Sequence, residues 1–209
     1  MRVAILGGTG SFGRALAKRL VGDGRDEVVI GSRDAERARA AAAELGAAGG
    51  DTNEAAVGGA DLAVLAVKAE AALDTAREVA AALGQTPLLS VATALVFGKD
   101  GVRPDADARS LAERIQDVVA GPVLAGLQSI AAANLDEEPP AEDALICGDD
   151  RDAKELALQL ADRLVSGRVI DAGPLAGART LEGMTALIVN VNRRYGVHAG
   201  VQLTGFASS

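Results

Sequence analysis

A glycine-rich loop near the start of the chain has the residue types and spacing of a phosphate-binding turn. Gly8, Gly10 and Gly13 follow the pattern G-x-G-x-x-G directly after the apolar run Val3–Leu6. In this motif the glycines allow a tight turn, close approach of the backbone to a pyrophosphate, and close packing of helix on strand. The helical pattern after the loop points its first N–H groups at the phosphates. We therefore predict a dinucleotide site formed by Gly8, Thr9, Gly10, Ser11, Phe12 and Gly13.

The residues after the second predicted strand, 28–31, indicate which dinucleotide binds. An NAD site usually carries an acidic residue about 20 residues past the glycines, where it binds the ribose 2′-hydroxyl. This chain has Ser32 and Arg33 there, with Arg37 one helical turn further on. A hydroxyl and two guanidinium groups suit a phosphate dianion, and Thr9 adds a second hydroxyl. The pattern predicts NADP rather than NAD.

A purely structural role for the same residues is the alternative. Ser32 or Asp34 would then cap the next helix, and Arg37 would lie on a solvated helix face. The two interpretations differ in cofactor preference, because only a phosphate clamp would separate NADPH from NADH.

Composition excludes several classes of function. The 209 residues are 49% hydrophobic but only 2% aromatic, and the net charge is −8. This balance opposes binding to nucleic acid and predicts a core of Val, Leu, Ile and Ala. Cys147 is the one cysteine, so no intramolecular disulfide forms. With no apolar run of transmembrane length and no room for a signal peptide before the first strand, we expect a soluble cytoplasmic protein that binds no membrane.

Short apolar runs alternate with amphipathic, alanine-rich stretches along the chain. The predicted strands are Val3–Leu6, Val28–Gly31, Leu62–Val67, Leu88–Val91, Val123–Leu127, Ala144–Cys147 and Val169–Asp171. The predicted helices span about 12–21, 34–45, 70–83, 108–118, 153–164 and 179–194. This βαβα order predicts a Rossmann-type, doubly wound, mostly parallel sheet. We expect an NADP-binding domain over 1–172 and a small C-terminal element over 173–209.

Two longer loops and the last helix stand apart from this pattern. The polar segment 97–107 is a candidate mobile flap, and the acidic, Pro-rich segment 134–143 separates the core from the C-terminal part of the chain. Residues 186–191 are apolar nearly all round, which is typical of a helix buried on several faces. Such a helix either packs into a partner subunit or closes the core of its own domain.

Ligands of open α/β sheets bind beyond the carboxyl ends of the strands. Lys68 and Ala69 follow the predicted strand that ends at Val67, Ser90 and Thr93 come after the next strand, and 128–132 follow a third. We expect these positions to surround the nicotinamide and the group that faces it. The residues that we assign to this region are Val67, Lys68, Ser90, Gln128, Ile130 and Ala132.

The sequence offers no obvious catalytic set. His198 lies past the last apolar helix and Tyr195 lacks the lysine partner of short-chain dehydrogenases, while Asp149 and Asp150 suit a helix cap better than a metal. We therefore predict no metal site and no catalytic side chain beyond positioning. Hydride transfer between two cofactors needs alignment more than a proton shuttle.

Taken together, the chain resembles the coenzyme F420-dependent NADP reductases over nearly its whole length. The segments that carry the resemblance are Arg2–Gly13, Gly31–Arg33, Val64–Val67, Cys147–Asp150, Asp171–Leu175 and Asn190–Gly200. The resemblance implies reversible hydride transfer between C4 of the nicotinamide of NADP(H) and C5 of the deazaflavin F420. It implies that Thr9, Ser32, Arg33 and Arg37 receive the 2′-phosphate. It also implies that 128–132 line the deazaflavin space, with Ile130 and Ala132 at matching positions, and that a homodimer or homotetramer forms through the C-terminal element.

Three departures from the family pattern lie on the side of the second substrate. Gln128 stands where His is common, Lys68 and Ala69 stand where Pro and a bulky residue are frequent, and 131–133 are all alanine. Two alternatives therefore stay open. One is an NADPH-dependent reductase of another acceptor, such as a flavin, quinone or metal ion, and the other is a non-catalytic NADP-sensing module.

Overall fold

The computed structural model describes residues 1–135 and 138–206 and centres on an eight-stranded sheet. The strands are β1 Arg2–Leu6, β2 Glu27–Ser32, β3 Gly49–Thr52, β4 Leu62–Leu65, β5 Leu88–Ser90, β6 Leu95–Gly98, β7 Gly101–Pro104, β8 Val123–Gly126, β9 Ala144–Gly148 and β10 Val169–Asp171. The sheet order is β10-β9-β8-β5-β4-β1-β2-β3, and β6 and β7 form a separate hairpin.

Helices cover both faces of this sheet. They are α1 Ser11–Asp23, α2 Ala35–Leu45, α3 Asn53–Ala56, α4 Ala69–Leu83, α5 Leu111–Gln116, α6 Ala132–Leu135, α7 Arg151–Asp162 and α8 Ala178–Tyr195. One apolar cluster lies under α1, α2 and α7, and a second lies under α4 and α5 and the start of α8. No helix among the described residues is long and apolar enough to cross a membrane.

The mostly parallel Rossmann-type fold is confirmed, with one reversal at its end. Every strand pair of the large sheet is parallel except β8 with β9, so β9 and β10 run against the other six strands. The carboxyl end of β9 therefore faces away from the glycine loop. There, Asp150 caps α7 by accepting from the Ala153 N–H at 2.8 Å, and Asp149 accepts from the Leu175 N–H at 3.0 Å. No acidic, His or Cys cluster within 1–135 and 138–206 is arranged to hold a metal.

The short elements β3 and α3 are absent from the sequence prediction. The strand β3 reads Gly-Gly-Asp-Thr, which carries no apolar side chain to signal a strand. Gly50 is required there because a Cβ would lie 2.3 Å from the Ala38 carbonyl oxygen of the helix packed above it. Backbone proximity, rather than side-chain pattern, places this edge strand.

The segment 97–107, predicted as a mobile flap, instead contains β7 and the end of β6. The hairpin is fixed to α8, because the Asn190 side chain accepts from the Val102 N–H at 2.8 Å and donates to the Val102 carbonyl at 2.7 Å. In the predicted loop 134–143, α6 covers the start, and residues 136 and 137 lie outside the described part of the chain.

Candidate active site

The glycine loop joins β1 to α1 through a left-handed turn. Gly7, one residue before the first glycine of the motif, has a φ of +76°. The Gly8 N–H donates to the Ile5 carbonyl at 3.1 Å and to the Gly31 carbonyl at 2.9 Å. A Cβ on Gly13 would lie 2.7 Å from the Gly7 carbonyl oxygen, so helix and loop pack as the motif requires. Helix α1 has no side-chain cap, so the backbone N–H groups of its first turn are left for a ligand. Its first residues, Ser11 and Phe12, line the cavity described below.

Asn53 secures this loop and is missing from the sequence prediction. Its side chain is only 1% exposed, and its Oδ1 atom accepts from the Gly7 N–H at 3.2 Å. It stands at the start of α3, where no motif marks it. Only the fold, which brings α3 beside β1 and β2, reveals its role.

The end of β2 places two hydroxyl groups side by side. Thr9 Oγ1 and Ser32 Oγ lie 3.4 Å apart, and Ser32 Oγ accepts from the Asp34 N–H at 3.2 Å. Asp34 caps α2 by accepting from the N–H groups of Glu36 and Arg37. Asp34 therefore fills the capping role, and Thr9 and Ser32 both line the adjoining cavity.

Arg33 and Arg37 are exposed at the rim of the same cavity. Neither forms an ion pair within the described residues. By contrast, Arg39, two residues after Arg37 on α2, lies 3.3 Å from a carboxylate oxygen of Asp51. Two guanidinium groups without a carboxylate partner are thus available to an anion beside the paired hydroxyls.

These groups border a first cavity of about 620 Å³. It is lined by Gly7, Thr9, Gly10, Ser11, Phe12, Ser32, Arg33, Asp34, Arg37, Asn53, Ala66, Val67, Lys68, Ala71 and Thr75. Gly8 and Gly13 lie behind this lining, where they serve the turn. The cavity thus runs from a cationic rim, past the start of α1, to the carboxyl end of β4.

A second cavity of about 470 Å³ adjoins the first. It is lined by Phe12, Ala66, Val67, Lys68, Ala69, Glu70, Val91, Ala92, Thr93, Leu95, Phe97, Leu127, Gln128, Ile130 and Thr185. Phe12, Ala66, Val67 and Lys68 border both cavities. A ligand that extends along the first cavity can therefore meet a second ligand above these shared residues.

The floor of the second cavity depends on a strained turn after β8. Leu127 has a φ of +67°, a left-handed conformation that costs a non-glycine residue roughly 1–2 kcal/mol. Gln128 comes next, and its Nε2 donates to the Ser90 carbonyl at 3.3 Å while its Oε1 is buried without a partner. The Thr185 hydroxyl of α8 lies 3.2 Å from the Gln128 carbonyl oxygen and 3.0 Å from the Leu181 carbonyl oxygen of its own helix, so its one proton is shared between this turn and α8.

Besides Gly8 and Gly13, two further predicted site residues line neither cavity. Ser90 is fully buried, and its hydroxyl has no hydrogen-bond partner. Ala132 begins α6 and packs against the core cluster under α1. Thr93, Phe97 and Thr185 line the second cavity, and of these three the sequence predicts only Thr93 near the nicotinamide.

Titratable groups around the second cavity are few. Lys68 and Glu70 line it, whereas His198 and Tyr195 line neither cavity. The lining is otherwise mainly apolar, with the hydroxyl groups of Thr93 and Thr185 and the amide of Gln128. This arrangement suits two flat reactants held face to face better than it suits a proton relay.

Comparison with known proteins places the chain in one family. The family model described as "NADP oxidoreductase coenzyme F420-dependent" matches residues 2–94. The F420-dependent NADP reductase of Methanothermobacter marburgensis is 36% identical, with 98% of each chain covered. The reductase of that name from Methanocaldococcus jannaschii is 31% identical over 93% of this chain and 94% of its own.

A solved structure agrees with the fold. The crystal structure of a candidate F420-dependent NADP-reductase from Arthrobacter sp. FB24 matches with a TM-score of 0.85 at 23% identity, covering 98% of this chain and 100% of that chain. The family predicted from the sequence is confirmed by the full-length relatives. The chain belongs to the F420-dependent NADP reductases.

Proposed function

We propose that this protein catalyses reversible hydride transfer between NADP(H) and coenzyme F420. The observation that carries the proposal is the pair of adjoining cavities, which share Phe12 and the carboxyl end of β4 in a chain related over its whole length to reductases of this name. In the forward direction NADPH gives a hydride to the deazaflavin, a solvent proton completes the reduction, and NADP⁺ remains.

The residues of the first cavity fit an NADP molecule. Arg33 and Arg37 would pair with the 2′-phosphate, and Thr9 and Ser32 would hydrogen-bond to it. The glycine loop and the uncapped first turn of α1 would hold the pyrophosphate. The nicotinamide would then reach Val67 and the second cavity, which is the direction that hydride transfer requires.

The residues of the second cavity fit a flat acceptor ring. Gln128, Ile130 and Thr185 line it, and Phe12 and Val67 border it on the side of the first cavity. Hydride transfer needs the two reacting carbons in close contact, at about 3–3.5 Å, and water excluded from between them. We propose that the protein contributes this alignment and no catalytic acid or base of its own.

The direct test mixes purified protein with NADPH and oxidised F420 and follows the visible band of the deazaflavin. Loss of the band with NADPH, and much slower loss with NADH, is the expected result. If the band persists while NADPH binding is measured by calorimetry, the acceptor is a different molecule or the protein senses NADP. A panel of flavins, quinones and metal ions then separates these two outcomes.

We further propose a homo-oligomer built on the C-terminal element 173–209, working in the cytoplasm where NADPH is available. Leu187 on α8 is 63% exposed, and Tyr195 and Val197 beyond it are 68% and 47% exposed. Three large side chains exposed within this one element make it the candidate surface for a protein contact. Leu187→Asp should therefore shift the sedimentation coefficient towards that of a monomer, and an unchanged value would place the contact elsewhere.

A further inference from the structure

The aromatic residues of this chain are few and unevenly distributed. The sequence has three Phe, one Tyr and no Trp. Two of these four side chains, Phe12 and Phe97, line the second cavity. Phe12 also borders the first cavity, so Phe97 is the aromatic residue that belongs to the second cavity alone. In a chain whose core is aliphatic, this placement points to recognition of a flat ring.

The hairpin presents Phe97 to the cavity from a fixed base. Its strand β7 is held to α8 by the double hydrogen bond of Asn190 with Val102, and Val102 is buried. The outer strand β6 pairs with β7 on one side only. Leu95 and Phe97 lie two residues apart, so they share one face of β6, and both line the cavity.

Phe97 is nevertheless 66% exposed. A phenylalanine left largely in water contributes little to folding, because its apolar surface stays hydrated. A planar ring laid against it would bury that surface and add the attraction between stacked aromatic rings.

We propose that Phe97 contacts the ring of the hydride acceptor and covers it from the solvent side. This inference rests on the proposed function only for the identity of the acceptor. The shared wall of Phe12 and Val67 borders the nicotinamide side of the cavity, and the Leu95–Phe97 face of β6 forms another wall. Phe97 thereby sets the affinity for a flat tricyclic acceptor and leaves the NADP site untouched.

The test compares Phe97→Ala and Phe97→Leu with Val96→Ala. Val96 lies on the same strand with its side chain on the opposite face, so its variant controls for damage to the hairpin. Binding of oxidised F420 without NADPH is followed by the fluorescence of the deazaflavin, and KM values are measured for both substrates. We expect Phe97→Ala to raise the Kd and KM for F420 about tenfold, Phe97→Leu to give an intermediate rise, and the KM for NADPH to stay within twofold.

Two results would overturn the inference. One is F420 binding by Phe97→Ala equal to that of the wild type. The other is weaker binding accompanied by a smaller sedimentation coefficient, which would place Phe97 at a subunit contact. Failure of the wild type to reduce F420 would instead refute the proposed function. The same variants titrated with flavin mononucleotide, another planar tricyclic ring, would still decide the role of Phe97.

Discussion

The two adjoining cavities differ in how the chain builds them. The first takes the groups that we propose bind phosphate from two short segments, the glycine loop and the end of β2, with Arg37 one turn into the next helix. The second collects residues from six separate parts of the chain, which are α1, 66–70 after β4, 91–93 after β5, the hairpin, the turn after β8, and α8. Local sequence therefore carries the chemistry of the first cavity, whereas tertiary structure creates the second. Substitutions in the two should accordingly affect different substrates.

The largest effect is expected from Arg33→Ala in the first cavity. A hydrogen bond to a charged group contributes about 1.5–3 kcal/mol, so the KM for NADPH should rise roughly tenfold to a hundredfold. NADH lacks the 2′-phosphate, and its KM should change little. Steady-state kinetics with both cofactors measures the difference.

Arg39→Ala is the matched control for this change. Arg39 is an exposed arginine on α2, the helix that follows Arg33, but Asp51 neutralises it. We expect both KM values of this variant to match those of the wild type. Equal losses for NADPH and NADH in Arg33→Ala would instead mean that Arg33 serves the structure of the loop.

A smaller effect, on the other substrate, is expected from Gln128→Leu. The change removes the hydrogen bond that Nε2 donates to the Ser90 carbonyl at 3.3 Å, and the loss of such a bond costs about 0.5–1.5 kcal/mol. Part of that cost falls on the turn that forms the floor of the second cavity. We expect the KM for F420 to rise about fivefold and the Kd for NADPH, measured by calorimetry, to stay constant. A larger change in NADPH binding would show that the two cavities are coupled.

The same difference between the cavities explains how far sequence alone can predict this site. The alternation of apolar runs and the spacing of the glycines are local signals, so the sequence predicts the fold, the loop and the hydroxyl–arginine set at Ser32 and Arg33. Asn53 and Thr185 have no such signal. Each acts through one hydrogen bond to a backbone atom that lies distant in sequence, Gly7 N–H for the first and the Gln128 carbonyl for the second.

The hairpin is a second feature that the sequence alone does not predict. The segment 97–107 is polar and rich in turn residues, which predicts a flap. The strands form because Asn190, far along the chain, satisfies both backbone groups of Val102. A two-stranded ribbon is marginal by itself, so its order comes from docking on α8. Phe97 lines the cavity because the hairpin docks on α8. The residues next to Phe97 in the sequence give no sign of this.

The smallest effect is expected from Ser90→Ala. It tests a residue for which the sequence prediction and the geometry disagree. The sequence predicts that Ser90 binds a cofactor, yet its hydroxyl is fully buried, lacks a partner and lines neither cavity. Removing an unsatisfied buried hydroxyl relieves a desolvation cost, so thermal unfolding should occur at an equal or slightly higher temperature. Both KM values should stay within about twofold, since the carbonyl that holds Gln128 is retained. A tenfold rise in the KM for F420 would mean that the hydroxyl reaches the bound ring, and the second cavity would then extend to a residue that the sequence alone identified.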